Sequence, residues 1–406
     1  MKIRSITCFT TANSTGVYSD LDIVNEGANL AKRKFAQVGF EVQTTRLATQ
    51  TFTQYFPNDE KHAVKLAQKM EQDAAEAGFS YLSIGPVFPS CSWAFPLIPA
   101  ILAGTQNVFC TAVIASLPEG VSLPAINACG KIIALNTPAT SDGFTNLRFA
   151  ALANVPAHAP FFPAGYHDSG APGFSLAIEC ADVAFKAMKD AKNIQEGAQA
   201  FLSALEDTAE MSRSICLEIS KKTGLEFFGF DFSPAPFPVD HCSLGGAMEA
   251  TGVRLGNHGA VAAAAILAST LEKGQWKKVG FNGMMMPVLE DSILATRTED
   301  AAFGIKDLLL YSTMCGTGLD TVPLPGDATQ EQLAAVLLDV AAIALRLNKP
   351  LTARLMPIPG KKAGDMTGFD FEFFANGRVM NLDALPLTGV LSGEEIFSIT
   401  PRQFSK

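Results

Sequence analysis

Ile3-Arg4-Ser5-Ile6-Thr7-Cys8-Phe9-Thr10 is the stretch that decides the fold. It is β-rich and reads as a buried first strand. Val24, Ala28, Ala31, Phe35 and Val38 then recur at helical spacing across residues 20–38, and Gly39 is placed to stop the helix. Residues 42–48 return to a strand. Residues 59–77 form a second helix with Ala63, Leu66, Ala67, Met70 and Ala74 on one face and Gly78 behind it, and residues 81–85 and 108–115 are further strands. Neighbouring parallel strands need a helical crossover, so this alternation predicts an α/β fold with a largely parallel sheet.

The alternation continues down the chain. It predicts a strand at 174–179, helices at 181–191 and 194–223, a strand at 227–230 ending on Asp231, an Ala-rich helix at 258–273 and a strand at 277–281. Thr329-Gln330-Glu331-Gln332 is a capping box that opens a helix to about residue 347. A strand follows at 351–356, and Asn376-Gly377 between apolar runs signals a hairpin. The expectation is a single large α/β domain over residues 1–406. Residues 156–172, rich in Pro, Gly and aromatics, are either an internal divide or one long functional loop. In such folds ligands gather at the carboxyl ends of the strands, so chemistry is sought in the loops that follow them.

Composition narrows the function classes. Hydrophobic residues at 48% and charged residues at 17% support a large dry core and argue against disorder. The net charge of -9 is spread along the chain without a basic stripe, which argues against a nucleic-acid partner. Eight cysteines are scattered without a CxxC pair and read as free thiols in a reducing compartment. Met1-Lys2-Ile3-Arg4-Ser5 runs into a strand without a signal-peptide core, and the longest apolar stretch, residues 261–269, is too short to span a bilayer. A cytoplasmic protein is expected, with no membrane partner, a small-molecule substrate and further copies of itself in a homo-oligomer.

The familiar signatures of nucleotide, dinucleotide, serine hydrolase and zincin sites do not occur. Candidate chemistry instead sits in glycine-containing loops. Phe161-Phe162-Pro163-Ala164-Gly165-Tyr166-His167-Asp168 offers His167 as an acid/base group or ligand, or alternatively as a loop cap. His258 and Gly259, before the Ala-rich helix, suit an anion at a helix N-terminus or a simple capping loop with Asn257 as the cap. Asp231 ends a strand, facing either a ligand or the Pro-rich turn after it. Glu290-Asp291 could bind a hard cation or open a helix. Cys315, between an apolar helix and Gly316-Thr317-Gly318-Leu319-Asp320, is a candidate nucleophile. Cys110 lies mid-strand, where a core role leads. The adjacent pair His241-Cys242 does not read as a metal pair.

These segments together resemble the uncharacterised UPF0210 (DUF711) family. The likeness is carried by residues 161–167, Leu225-Glu226-Phe227 with the turn 231–238, His258-Gly259, residues 287–291, Gly318-Leu319-Asp320, Arg354-Leu355-Met356-Pro357 and residues 364–366, with Ile3-Arg4-Ser5-Ile6-Thr7 and Cys110 as further family-like positions. His241-Cys242 departs from it, standing where members carry a small or acidic pair. The resemblance implies a fold similar to the α/β barrel of pyruvate formate-lyase and other glycyl radical enzymes, with a loop inside it that carries the chemistry. It names no reaction.

The leading expectation is an enzyme acting on a small polar, anionic metabolite by acid/base or thiol chemistry, as a lyase, isomerase or hydrolase. His167, Cys315, Asp231 and Asp320 are its candidate catalytic residues, and His258, Gly259, Cys110 and Arg46 its candidate substrate-binding residues. A divalent cation held by Asp168, Glu290 and Asp291, with His167 and Asp231 nearby, defines a metal-dependent alternative. A non-catalytic metabolite-binding protein is the third reading.

Glycyl radical chemistry itself is not expected. Its Arg-Val-x-Gly loop has its nearest counterpart in Arg378-Val379-Met380-Asn381, where Asn381 replaces the radical glycine. Electron paramagnetic resonance after anaerobic treatment with an activating enzyme should show no glycyl doublet; a doublet would overturn this reading.

Overall fold

The protein is described by a computed structural model covering residues 1–314 and 316–402. The strands are β1 (Lys2–Phe9), β2 (Val42–Ala48), β3 (Tyr81–Val87), β4 (Val108–Ser116), β5 (Gly120–Ser122), β6 (Phe149–Ala153), β7 (Gly173–Glu179), β8 (Glu226–Asp231), β9 (Gly318–Pro325), β10 (Leu351–Ile358) and β11 (Ile396–Phe397). They form one sheet of order β8-β7-β1-β2-β3-β4-β6-β10-β9, with β5 and β11 appended beside β4. Pairing is parallel from β1 through β2, β3 and β4 to β6, and within β7–β8 and β10–β9. The parallel blocks meet in antiparallel joints at β1–β7 and β6–β10.

The first helices form for the reasons their spacing suggests. Leu21–Gln37 buries Val24, Ala28, Ala31 and Phe35, and Glu60–Glu76 buries Ala63, Ala67, Met70 and Ala74. Each is followed by a left-handed glycine, Gly39 or Gly78, that turns the chain back toward the sheet. Full burial of a side chain the size of Phe35 contributes roughly 2–3 kcal/mol. Val38 differs from the expectation: it lies past the last helical turn and is exposed. The capping box at Thr329 is present, with the Thr329 hydroxyl and the Gln332 side chain each accepting the other's backbone N–H.

The structure adds a strand that the sequence pattern does not mark and corrects two local expectations. Phe149-Ala150-Ala151-Leu152-Ala153 has weak strand propensity but becomes β6, because it is fully buried between β4 and β10, and tertiary context outweighs propensity. Asn376-Gly377 is not the tip of a two-residue hairpin. It sits in the returning arm of a longer excursion, where Thr367 N–H donates to Gly377 O at 2.8 Å and Asn376 Oδ1 accepts from Thr367 Oγ1 at 2.8 Å. Residues 277–281 are not a regular strand and make only a bridge from Lys278 to Phe230.

The last correction has a physical cause. Gly280 and Asn282 have positive φ, which breaks the extended run. A Cβ on Gly280 would collide with the Asp231 carboxylate. That carboxylate is fully buried at the end of β8 and accepts four hydrogen bonds: from Ser233 N–H (3.0 Å) and Oγ (2.6 Å), Phe281 N–H (2.7 Å) and Asn282 N–H (2.9 Å). The segment thus held touches both ends of the strand order. Phe230 N–H donates to Lys277 O (2.8 Å) on the β8 side, while Thr317 N–H donates to Met284 O (3.0 Å) and Val288 N–H to Asp320 O (3.0 Å) on the β9 side.

Asp231 is therefore expected to be structural in its direct contacts. Asp231→Ala strands several buried donors at once and should lower stability by at least about 3 kcal/mol in urea denaturation; a loss below about 1 kcal/mol would contradict this account.

Candidate functional site

The sheet curves around a cavity of about 90 Å³. Side chains from β1, β2, β3, β4, β6, β10 and β9, seven consecutive neighbours in the sheet, all reach its wall. Laid flat, seven strands would span roughly 29 Å, so only strong curvature brings them to one small space. Residues 155–172 cover it from inside the curve. Pro160 O accepts from Ser5 Oγ (3.1 Å) and Thr7 Oγ1 (2.8 Å) of β1, and Gly165 O from Ser83 Oγ (2.7 Å) of β3. Phe161, Phe162, Pro163 and Ala164 thereby become part of the cavity wall, and the Phe162-Pro163 peptide is cis.

Alternation along the strands places charge inside. Thr44 and Arg46, and Thr352 and Arg354, are two residues apart and share a face. Glu290 is gripped from two sides, by Arg4 Nη2 and Arg354 Nη2, both at 2.8 Å. Arg354 Nε donates to Asp320 Oδ1 at 2.5 Å, and Arg4 Nη1 reaches Glu179 at 3.2 Å. All are buried. Burial opposes the charge on Arg354, but Asp320 and Glu290 outweigh it and its pKa is raised. Burial raises the carboxyl pKa of Asp320, with Arg354 acting against it.

Arg46 stands apart from this chain of pairs. Its residue is 8% exposed, its Nε donates to Thr44 Oγ1 at 3.0 Å, and its guanidinium lies 5.3 Å from the Phe162 ring centroid and 5.7 Å from that of Tyr81. Among the described residues no carboxylate pairs with it within 4.0 Å. Burial and then the Arg4 charge lower its pKa, although a guanidinium stays protonated. Thr317 Oγ1, on the same wall, is buried without a hydrogen-bond partner among the described residues.

The other candidates are dispersed. Asp291 is turned away from Glu290 and the cavity: its carboxylate accepts from Ser243 Oγ and from the N–H groups of Leu244 (2.8 Å), Gly245 (3.0 Å), Ile293 (3.0 Å) and Leu294 (3.1 Å), capping the helix Ser292–Arg297. The structure does not bring Asp168, Glu290 and Asp291 together. His258 and Gly259 are exposed before the helix Ala260–Lys273 and do not line the cavity; Gly259, not Asn257, is the N-cap. Cys110 packs in the core, where burial pushes its thiol up to about 12. Cys242 is buried with Sγ 3.9 Å from Glu179 Oε1, and His241 beside it is exposed. Cys315 lies outside the described residues, and His167 does not line the cavity.

His167 instead faces His158. Its Nδ1 is 3.1 Å from His158 Nε2 and 3.6 Å from Asp168 Oδ1, and its Nε2 is 3.2 Å from Gly170 O. Burial lowers the pKa of both imidazoles. Sequence reasoning missed His158, Arg4, Arg354 and Thr317 as site residues. Two histidines nine positions apart in one Pro- and Gly-rich loop were a signal for the first.

A fold of this class, an α/β protein with a polar cavity inside a curved, mostly parallel sheet, has relatives. The family model described as "Uncharacterised ACR (DUF711)" matches residues 1–373. A UPF0210 protein of Pyrobaculum aerophilum is 30% identical over 350 residues, 81% of this chain and 76% of its own length. One from Pyrobaculum arsenaticum is 28% identical over 372 residues, covering 87% and 81%, and one from Acetivibrio thermocellus is 26% identical over 329 residues, covering 77% and 73%. The chain belongs to the DUF711 (UPF0210) family.

The shared carboxylate predicts energetic coupling. In a double-mutant cycle of Glu290→Gln and Arg354→Met, read by chemical denaturation, the coupling should be at least about 1 kcal/mol; additivity within about 0.5 kcal/mol would show that the pair acts independently.

Proposed function

We propose that this protein is a cytoplasmic enzyme acting on a small anionic metabolite bound in the arginine-lined cavity. Its sheet would be completed by residues 277–288 into a barrel similar to that of the glycyl radical enzymes, and residues 155–172 would be the loop inside it. The hydrogen bonds that segment makes to both β8 and β9 support the barrel reading. The seven free cysteines among the described residues, six of them buried, support a reducing compartment, and no helix among those residues is long and apolar enough to cross a membrane.

One observation carries the functional reading: Arg46, buried on the cavity wall without an ion-pair partner among the described residues. A buried charge is stable when paired, and an anion in the cavity would supply the partner. The two guanidinium ends and Thr317 Oγ1 would then be its donors. The guanidinium and hydroxyl donors on one wall suit a compact carboxylate or phosphate. Asp320, with its carboxyl pKa raised by burial, would be the proton-handling group on the same wall, oriented by Arg354.

Calorimetric titration with inorganic phosphate and a panel of two- to four-carbon carboxylates tests this. At least one should bind the wild type, and Arg46→Gln should weaken it roughly tenfold or more, the loss of one charge-assisted hydrogen bond. If no anion binds at millimolar concentration, or Arg46→Gln binds as well as wild type, the reading fails. For the anion that binds, Asp320→Asn should retain affinity and lose turnover; an anion that binds without being transformed would favour the non-catalytic reading.

A further inference from the structure

The cluster at the base of the inner loop does not line the arginine cavity, and its geometry points to a second site: we propose that His158 Nε2, His167 Nδ1 and Asp168 Oδ1 hold a divalent transition-metal ion, zinc by preference, with a fourth position open to solvent.

The three donor atoms are 3.1, 3.2 and 3.6 Å apart. Tetrahedral zinc with ligands at ~2.0 Å places any two donors roughly 3.3 Å apart. The triangle therefore already has the size of one face of a zinc tetrahedron, and two imidazoles with one carboxylate form a common donor set for that ion.

Gly170 O, 3.2 Å from His167 Nε2, can only accept, so Nε2 carries the hydrogen and Nδ1 presents its lone pair to the cluster. A backbone carbonyl fixing the far nitrogen is the usual way a ligating histidine is oriented. Asp168 Oδ1 is likewise an acceptor, steadied by Gly170 N–H at 2.9 Å. Two lone pairs thus converge on His158 Nε2, and either a hydrogen on that nitrogen, which a neutral imidazole can carry, or a metal ion lies between them.

The His158 ring stacks on Phe228 at 3.7 Å between centroids with planes 1° apart. Its backbone N–H donates to Tyr166 O (2.8 Å), and its carbonyl accepts from Ser175 Oγ (3.0 Å). His167 N–H is tied to Thr49 O at 3.0 Å. The two imidazoles are therefore held before any ion arrives, while the exposed Asp168 side leaves a route for it. An ion here would join the two legs of the loop whose tip covers the cavity.

The test uses the full chain stripped with a chelator and titrated with Co²⁺ and then Zn²⁺. One Co²⁺ per chain should bind, giving the intense visible bands of tetrahedral coordination, and Zn²⁺ should displace it. His158→Gln and His167→Gln should each weaken Zn²⁺ by more than roughly 100-fold, beyond the range for loss of an outer-shell partner. Asp168→Asn, altered on its exposed side, should fold normally and weaken binding at least roughly tenfold; it decides the matter if either histidine variant fails to fold. His62→Ala, which breaks the exposed His62–Asp59 pair at 2.5 Å, is the control and should bind as wild type. Wild-type protein that takes up no Co²⁺, a purely octahedral spectrum, or unchanged affinity in Asp168→Asn would overturn the proposal. The outcome is independent of Arg46, so failure here and failure of the anion reading are distinguishable.

Discussion

A guanidinium group cannot be left in a dry interior without compensation, and three of them stand inside the curve of this one sheet. The arrangement around them follows from that constraint. Glu290 serves two arginines from strands far apart in sequence, Asp320 fixes the orientation of one, and Glu179 shares the other. Such groups add little net stability compared with apolar packing, because desolvation costs about what pairing returns. Their expense is easier to understand as the maintenance of a polar interior than as reinforcement of the core.

The inner loop has to meet opposite demands. Its tip brings Phe162 against Arg46, giving that cation an aromatic face that does not neutralise it. Its base gathers imidazoles and a carboxylate in a small space. Both depend on backbone carbonyls that accept from β1 and β3, so the loop is anchored by strand side chains and not by helical structure of its own.

Much of the architecture was legible. Val24, Ala28, Ala31 and Phe35, and the capping box at Thr329, mark helices by spacing and cap chemistry that depend on local sequence. β6 was hidden because Ala-Ala-Leu-Ala favours no strand until β4 and β10 enclose it. The site was less legible for a related reason. Asp231 reads as a catalytic carboxylate and Asp291 as a cation ligand or helix opener in a string of letters, and each is saturated by N–H and hydroxyl donors, some of them remote in sequence. Arg4 and Arg354 were visible only as family-like positions, since nothing local shows that they meet across one carboxylate. Arg46 was picked out, but its lack of a counter-ion is a property of the assembled wall.

The segment 277–288 has a consequence for the protein's behaviour in crowded solution. Strands at the ends of an open sheet present unpaired amides that recruit foreign strands. Here β8 and β9 both spend backbone groups on the same irregular run, and Gly280 and Asn282 bend that run out of any extended shape another chain could copy. The stretch expected as a further strand thus occupies backbone groups at both ends of the strand order without offering an extended edge of its own.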